Sequence, residues 1–213
     1  MAHVVRPYRG VSADERRTLR RARLIDAALD VIATHGIANL TMTAVRQRAR
    51  LTERYFYESF RDRDDLLEAV LDQSMLEMDE AMFSALQAAP PDLYERCRAA
   101  AGAMISALTD DPRKARLYVE TGGSEKLRER RAQAINIHAD ILAGQMREFG
   151  GLDSKTHDAP LQLAALVILG GIAEAIGPWI NGTLEMSRDT LVEECARLTV
   201  AAAEAVKATS AHH

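Results

Sequence analysis

The chain has 213 residues, 47% hydrophobic and 27% charged, which is long enough for one large domain or two small ones with a substantial core. Its two cysteines, Cys97 and Cys195, lie far apart without metal-ligand spacing. This excludes a disulfide scaffold or a Cys-ligated metal site and suits reduced thiols in a cytoplasmic protein. The formal charge of −4 hides an asymmetry, because residues 1–63 hold 13 Arg and no Lys against 7 acidic residues, so that segment carries +6 and the remainder −10. Positive charge concentrated at one end favours contact with phosphates there, although a solvated helix face produces the same run.

In chain order, residues 1–11 (MAHVVRPYRGV) lack the apolar run of a secretory signal and form a basic arm with Arg6 and Arg9. Such an arm can enter a minor groove, as homeodomain arms do, or stay disordered. Ser12 and Glu15 have capping-box spacing, and Leu24, Ile25, Ala28, Leu29 and Ile32 recur at threes and fours. A first helix is therefore predicted to about His35, stopped by Gly36. Thr41 can cap a second helix with Val45 and Ala49 on one face, and Thr52 a third carrying Tyr55, Phe56 and Tyr57. Only a few residues around Arg50 and Leu51 separate them. Two short helices across so tight a turn form a helix-turn-helix, which presents its second helix to a major groove.

This order of residues resembles the tetracycline-repressor-like (TetR) family of bacterial transcriptional regulators. In that family Thr opens the second helix, a small-residue turn follows, and Tyr-x-x-Phe and a basic residue precede the next helix. The matching positions here are Thr41, Ala49, Thr52, Tyr57, Phe60 and Arg63. The chain departs from the family pattern at Arg50, where Gly is common, and at Arg46, where Ala is common. A positive φ at Arg50 would cost energy that Gly avoids, so either the turn is ordinary or strain is tolerated. The close resemblance covers about a quarter of the chain; elsewhere it extends to length and helical rhythm.

A fourth helix is predicted from about Asp62 toward Ala88, ended by Pro90 and Pro91, and linking the motif to the second half. A fifth runs from Pro91 to about Leu108, a sixth to about Glu120, and a seventh from Ser124 to about Phe149 with Leu127, Ala134, His138, Ile141, Leu142 and Phe149 on its inner stripe. The eighth, Leu161 to Ile176, is apolar nearly all round and must be covered on more than one side. Its uninterrupted run is far short of the ~20 residues a membrane span needs, so a buried helix is expected and no membrane partner. The ninth, Ser187 to Lys207, shows Leu191, Cys195, Leu198, Val200 and many alanines. The last two helices suit an interface with the same pair in a second chain, or the centre of a monomeric bundle. The resemblance implies the homodimer. No strand alternation or repeat occurs, so the fold class is all-α with about nine helices. The expected division is 1–11 arm, 12–61 DNA-binding domain, 62–207 effector-binding and dimerisation domain, and 208–213 tail.

For DNA, Thr41 and Thr43 at the start of the second helix are predicted to face phosphate, as is Tyr57 through its phenol. Arg63 stands where the family usually has a phosphate-binding Lys. Thr52, Glu53, Arg54 and Tyr55 occupy the first turn of the third helix, which meets base edges, and Arg54 suits guanine O6 and N7. Phe56 and Phe60 read as core. Met78, Met82, Met104, Tyr118, His138 and Trp179 are candidates for an effector pocket, since methionine and aromatic linings adapt to apolar ligands; residues at such spacing are more often plain core. Glu120 and Glu174 are candidate polar anchors or surface groups.

No HExxH, Walker, GxSxG or Gly-rich dinucleotide motif occurs and no acid/base pair is spaced for catalysis, so no catalytic residue, cofactor or metal is predicted. The leading expectation is a ligand-responsive repressor that binds palindromic operator DNA as a homodimer and is released by a small, largely apolar effector. The alternatives are an all-helical enzyme, which would turn over such a molecule, and a structural DNA-binding protein without effector, which would bind without regard to sequence.

Overall fold

The computed structural model describes residues 12–121, 125–152 and 158–210, and among these every regular element is helical. The helices are α1 (Ala13–His35), α2 (Met42–Ala49), α3 (Glu53–Tyr57), α4 (Arg63–Ala88), α5 (Leu93–Thr109), α6 (Pro112–Glu120), α7 (Glu125–Phe149), α8 (Asp158–Ile180) and α9 (Arg188–Ser210). A 3-10 turn at Ile37–Asn39, which the sequence did not suggest, joins α1 to α2. The basic arm, the 122–124 link and the terminal histidines lie outside the described residues.

Contacts divide the described chain into two compact units. One runs to Leu76 and includes α6; the other comprises Glu77–Asp111 and the described residues from Thr121 onward. The division is drawn differently from the expected boundary at residues 61 and 62, because the first turns of α4 bury Leu66, Leu67 and Val70 in the first unit and α6 packs on α1.

Local rules account for the first unit's helix ends. The Glu15 N–H donates to Ser12 Oγ at 3.0 Å and the Ser12 N–H to Glu15 Oε2 at 2.5 Å, completing the predicted capping box. Those Ser12 hydrogen bonds hold the Glu15 carboxyl below its ordinary pKa. Gly36 ends α1 at φ 82°, a conformation that disfavours any side chain. A Cβ there would also lie 3.0 Å from Glu120 Oε2 of α6. That carboxylate accepts the Ile37 N–H at 2.6 Å, while Arg113 of α6 donates to Asp26 and Asp30 of α1 at 3.0 and 2.5 Å. Leu24, Ile32, Val45, Phe56 and Leu66 are nearly or wholly excluded from solvent and form the core.

The second unit is built from small residues. Ala139, Ala143, Ala165, Ala196 and Ala203 are buried beside Leu93, Met146 and Leu161, letting α5, α7, α8 and α9 approach closely. Arg96 lies 4.3 Å over the Phe149 ring and donates to Gln145. Cys97 and Cys195 are buried free thiols. Burial pushes Cys97 up to about 12 and raises Cys195, so neither is a thiolate near neutral pH.

In a single chain α8 buries only Leu161, Ala165 and Ile176, on the stripe facing its neighbours, while Leu163 and Val167 are 64% and 63% exposed. Leu198 of α9 likewise points outward, being 54% exposed. One stripe at fourfold spacing packs α8 in its own chain, and among the described residues nothing covers its apolar face at Leu163 and Val167. Among the described residues α8 is long and apolar enough to cross a membrane, although Pro178 stands inside it and Glu174 is paired with Arg131 of α7 at 3.1 Å.

Candidate nucleic-acid interface

The candidate surface is assembled by the ends of α2 and α3. Thr41 caps α2, its hydroxyl oxygen accepting the Ala44 N–H at 3.1 Å, which leaves its own O–H available to a phosphate oxygen. Thr43 is exposed in the same first turn. Arg50 ends α2 at φ 54° and ψ 44°, the only non-glycine at positive φ among the described residues. Its N–H bonds Gln47 O and the Leu51 N–H bonds Arg46 O, the crossed pair of a Schellman turn. Of the two outcomes open for this turn, the strained one is realised, and it delivers the chain directly into α3.

Helix α3 is only five residues long, too short to be stable alone. Thr52 sits at its N-cap in extended conformation, but its side chain makes no capping bond, so the expected cap is a backbone position only. The helix is anchored instead by Phe56, which is fully buried and meets the Tyr57 ring edge-on at 5.7 Å and Phe60 at 5.9 Å. Truncating such a side chain costs about 3–5 kcal/mol. With Phe56 inward, Glu53, Arg54 and Tyr57 face out: the Arg54 side chain is 85% exposed and Tyr57 is 52% exposed. Glu53 pairs with Arg46 at 3.3 Å. Tyr55 is half-buried, its ring 4.4 Å beneath the Arg20 guanidinium of α1.

Arg63 has a different situation from the exposed residues. Its Nε donates to Leu40 O at 2.8 Å, Nη2 to Ile37 O at 2.6 Å and Nη1 to Asp64 Oδ1 at 3.1 Å, so it ties the start of α4 to the 3-10 turn. A neighbouring depression of about 310 Å³ is lined by Arg23, Asp26, Asp30, Arg48 and Arg50 among others. Both its carboxylates are paired, Asp26 with Arg113, and Asp30 with Arg113 and, at 2.6 Å, with Arg48. Burial raises the Asp30 pKa, but those two hydrogen bonds outweigh it and leave the group lowered. Sequence reasoning placed Arg17 and Arg20 on the polar face of the first helix but missed Glu58 and their contact with it. Arg17 donates to Glu58 O at 2.8 Å and Arg20 to Glu58 Oε2 at 3.4 Å. The signal available was their shared face on α1, three residues apart.

An exposed arginine on a short helix, presented by a capped partner helix across a tight turn, is the geometry of a helix-turn-helix. The profile of the "Bacterial regulatory proteins, tetR family" matches residues 24–70, the stretch just described. Over 171 residues the chain is 31% identical to the HTH-type transcriptional regulator BetI of Paraburkholderia xenovorans, covering 79% of this chain and 84% of that protein. This chain belongs to the tetR family of bacterial regulatory proteins. It is a transcriptional regulator and not an enzyme. Its fold is shared with FadR of Bacillus subtilis, solved with stearoyl-CoA, at a TM-score of 0.71, 20% identity, and coverage of 85% of this chain and 98% of that one. SmeT, the repressor of a Stenotrophomonas maltophilia multidrug efflux pump, aligns at 0.67 and 19% identity, covering 85% and 89%.

The six candidate effector residues of this tetR-family chain are divided between the two units. Tyr118 belongs to the first unit and the other five to the second. His138 is buried with its Nε2 2.7 Å from Asp79 Oδ1, Met82 is buried, and Met78 and Met104 are half-buried. The Trp179 indole N–H donates to Met186 O at 3.0 Å, closing the turn between α8 and α9. Of the two candidate anchors, Glu120 is engaged by Ile37 and Arg116, and Glu174 by Arg131.

Proposed function

We propose that the protein is a homodimeric repressor that binds a palindromic operator and leaves it when a small, largely apolar effector binds the second unit. The observation that carries the DNA-binding half is the exposed Arg54, beside Glu53 and Tyr57, on a helix whose opposite side is sealed by Phe56. Arg54 reads a base, in the manner of arginine on guanine O6 and N7. Thr41, Thr43 and Tyr57 hold phosphates, and Thr52, Glu53 and Tyr55 flank the contact. Arg63 acts at one remove, fixing the approach to α2 through Leu40 and Ile37. Two such heads about one helical turn apart, ~34–36 Å or somewhat more, set the operator's half-site spacing.

The dimer is supported by the open face of α8 and α9. Leu163, Val167 and Leu198 are exposed, and Cβ atoms built on Gly170, Gly171 and Gly177 meet nothing within 4 Å. An apolar stripe flanked by glycines permits the close approach of a second α8–α9 pair. Release by an effector follows if the ligand prefers the form whose heads are wrongly spaced, and the coupling is then reciprocal. FadR's stearoyl-CoA is consistent with a largely apolar effector here. Such a regulator works in the cytoplasm.

The test is a selection of bound genomic fragments with purified protein, followed by affinity measurements on the recovered sequence and its variants at fixed salt. A two-fold-symmetric sequence preferred at least ~10³-fold over random DNA is expected. Arg54→Ala should remove ~1–3 kcal/mol of discrimination at one base pair per half-site. Equal binding to all duplexes, or monomers at micromolar concentration, refutes the reading.

A further inference from the structure

Helix α3 offers its arginine on a long, flexible stem, and a side chain that is free to wander reads a base poorly. Loss of rotamer freedom on contact is reduced when the guanidinium is held beforehand. Glu58, the residue that ends α3, supplies such a hold. Its Oε1 accepts from Arg54 Nε at 3.0 Å, one turn away on the same face. Taking the Nε edge leaves the Nη1 and Nη2 end of the fork for an outside acceptor, which suits the paired O6 and N7 of guanine.

Glu58 is itself held by α1. Arg20 Nη2 donates to Glu58 Oε2 at 3.4 Å while its guanidinium stacks 4.4 Å over Tyr55, and Arg17 Nη2 donates to the Glu58 carbonyl at 2.8 Å. Both carboxylate oxygens are thereby occupied. The carboxylate stands between two guanidiniums, which offsets the repulsion it would otherwise exert on an approaching phosphate. Surface ion pairs contribute little to stability, so stability alone does not explain this three-member chain on so short a helix.

We propose that Glu58, buttressed by Arg20, is a positioning residue that sets Arg54 in its base-reading posture and so governs sequence discrimination. The proposal rests on the reading of Arg54 as the base contact. It carries a signature that a merely structural role lacks. Removing the Glu58 charge raises affinity for random DNA, because a negative group near phosphates is gone, yet lowers discrimination, because Arg54 is released.

The experiment measures binding of wild-type protein, Glu58→Gln, Arg20→Lys, Arg54→Ala and the Arg54→Ala/Glu58→Gln double variant by fluorescence anisotropy. The probes are the selected operator, its single-base-pair variants and a random duplex, all at one salt concentration. Glu58→Gln is expected to reduce discrimination at the base pair read by Arg54 by ~3- to 10-fold while random-duplex affinity holds or rises. Arg20→Lys keeps the charge but loses the planar fork, and should produce a smaller loss at the same base pair. In the Arg54→Ala background Glu58→Gln should cause no further loss. If Arg54→Ala flattens that preference and Glu58→Gln does not, or if Glu58→Gln weakens all duplexes alike, the positioning role is overturned. If Arg54→Ala itself leaves every preference intact, the base-reading assignment fails and the proposal falls with it.

Discussion

The two units solve different problems with different materials. The first is held by directional contacts between particular groups: Ser12 with Glu15, Glu120 with the Ile37 N–H, and Arg63 with two carbonyl oxygens. The second is held mainly by alanine, leucine and methionine faces whose members can exchange without changing the kind of packing. A unit that must present an arginine at a fixed place needs named partners. A unit that packs helices needs only suitable volumes, and under the proposed function the same latitude would admit an apolar ligand.

The largest effect that would break this contrast lies on the second unit's open face. Leu163→Glu with Val167→Glu should raise the dimer dissociation constant by more than ~100-fold and abolish tight operator binding, since charges at the centre of an apolar interface are heavily disfavoured. Sedimentation and anisotropy on one sample check this, and a fully dimeric variant would show that the face serves something else. In the first unit Gly36→Ala should cost about 2 kcal/mol, from the positive φ and the Glu120 carboxylate lying where the methyl would go. Urea titration at neutral pH reads it, and a neutral substitution would remove the argument for that contact.

A smaller effect sharpens the electrostatic side. Because Asp30 has a lowered folded-state pKa, its contribution is fully present above the ordinary aspartate value, near pH ~4, and is lost as pH falls through the folded value. Asp30→Asn should therefore destabilise by about 1 kcal/mol at neutral pH, with the gap to wild type closing in acid. A gap that persists at low pH would point to shape and not charge. The smallest expected change is a gain: Arg50→Gly relieves the left-handed strain at the end of α2 and should add about 0.5 kcal/mol, after allowance for the freer unfolded chain, seen as a rise in thermal midpoint.

What was readable beforehand follows physical range. Ser12 with Glu15, Thr41, Gly36 and the Val45–Ala49 pair act within a turn or two of chain, so spacing alone exposed them, and the strain at Arg50 was visible as one of two outcomes. The Phe56–Phe60 core was legible for the same reason. Arg63's carbonyl partners and the Arg20–Glu58 contact join residues 23 to 38 positions apart, and no local pattern announces them. Thr52 illustrates the opposite error, since a residue suited to capping occupied the right place without making the bond. The outward turn of Leu163 and Leu198 was legible only as one of two alternatives, because periodicity reports that a face is apolar, not whose surface covers it.

The membership of α6 in the first unit has a practical consequence for anyone dividing this gene. A fragment that stops at residue 76 contains the whole helix-turn-helix yet abandons Arg113 and Glu120, leaving the Ile37 amide and the Asp26 carboxylate to water and Asp30 with Arg48 alone. Grafting the head onto another regulator's body would inherit the same gap unless the nine residues of Pro112–Glu120 travel with it or the host supplies an equivalent pair. The heritable module is thus split in sequence, and swaps made at a single junction should yield proteins that carry the intact helix-turn-helix sequence on a loosened frame.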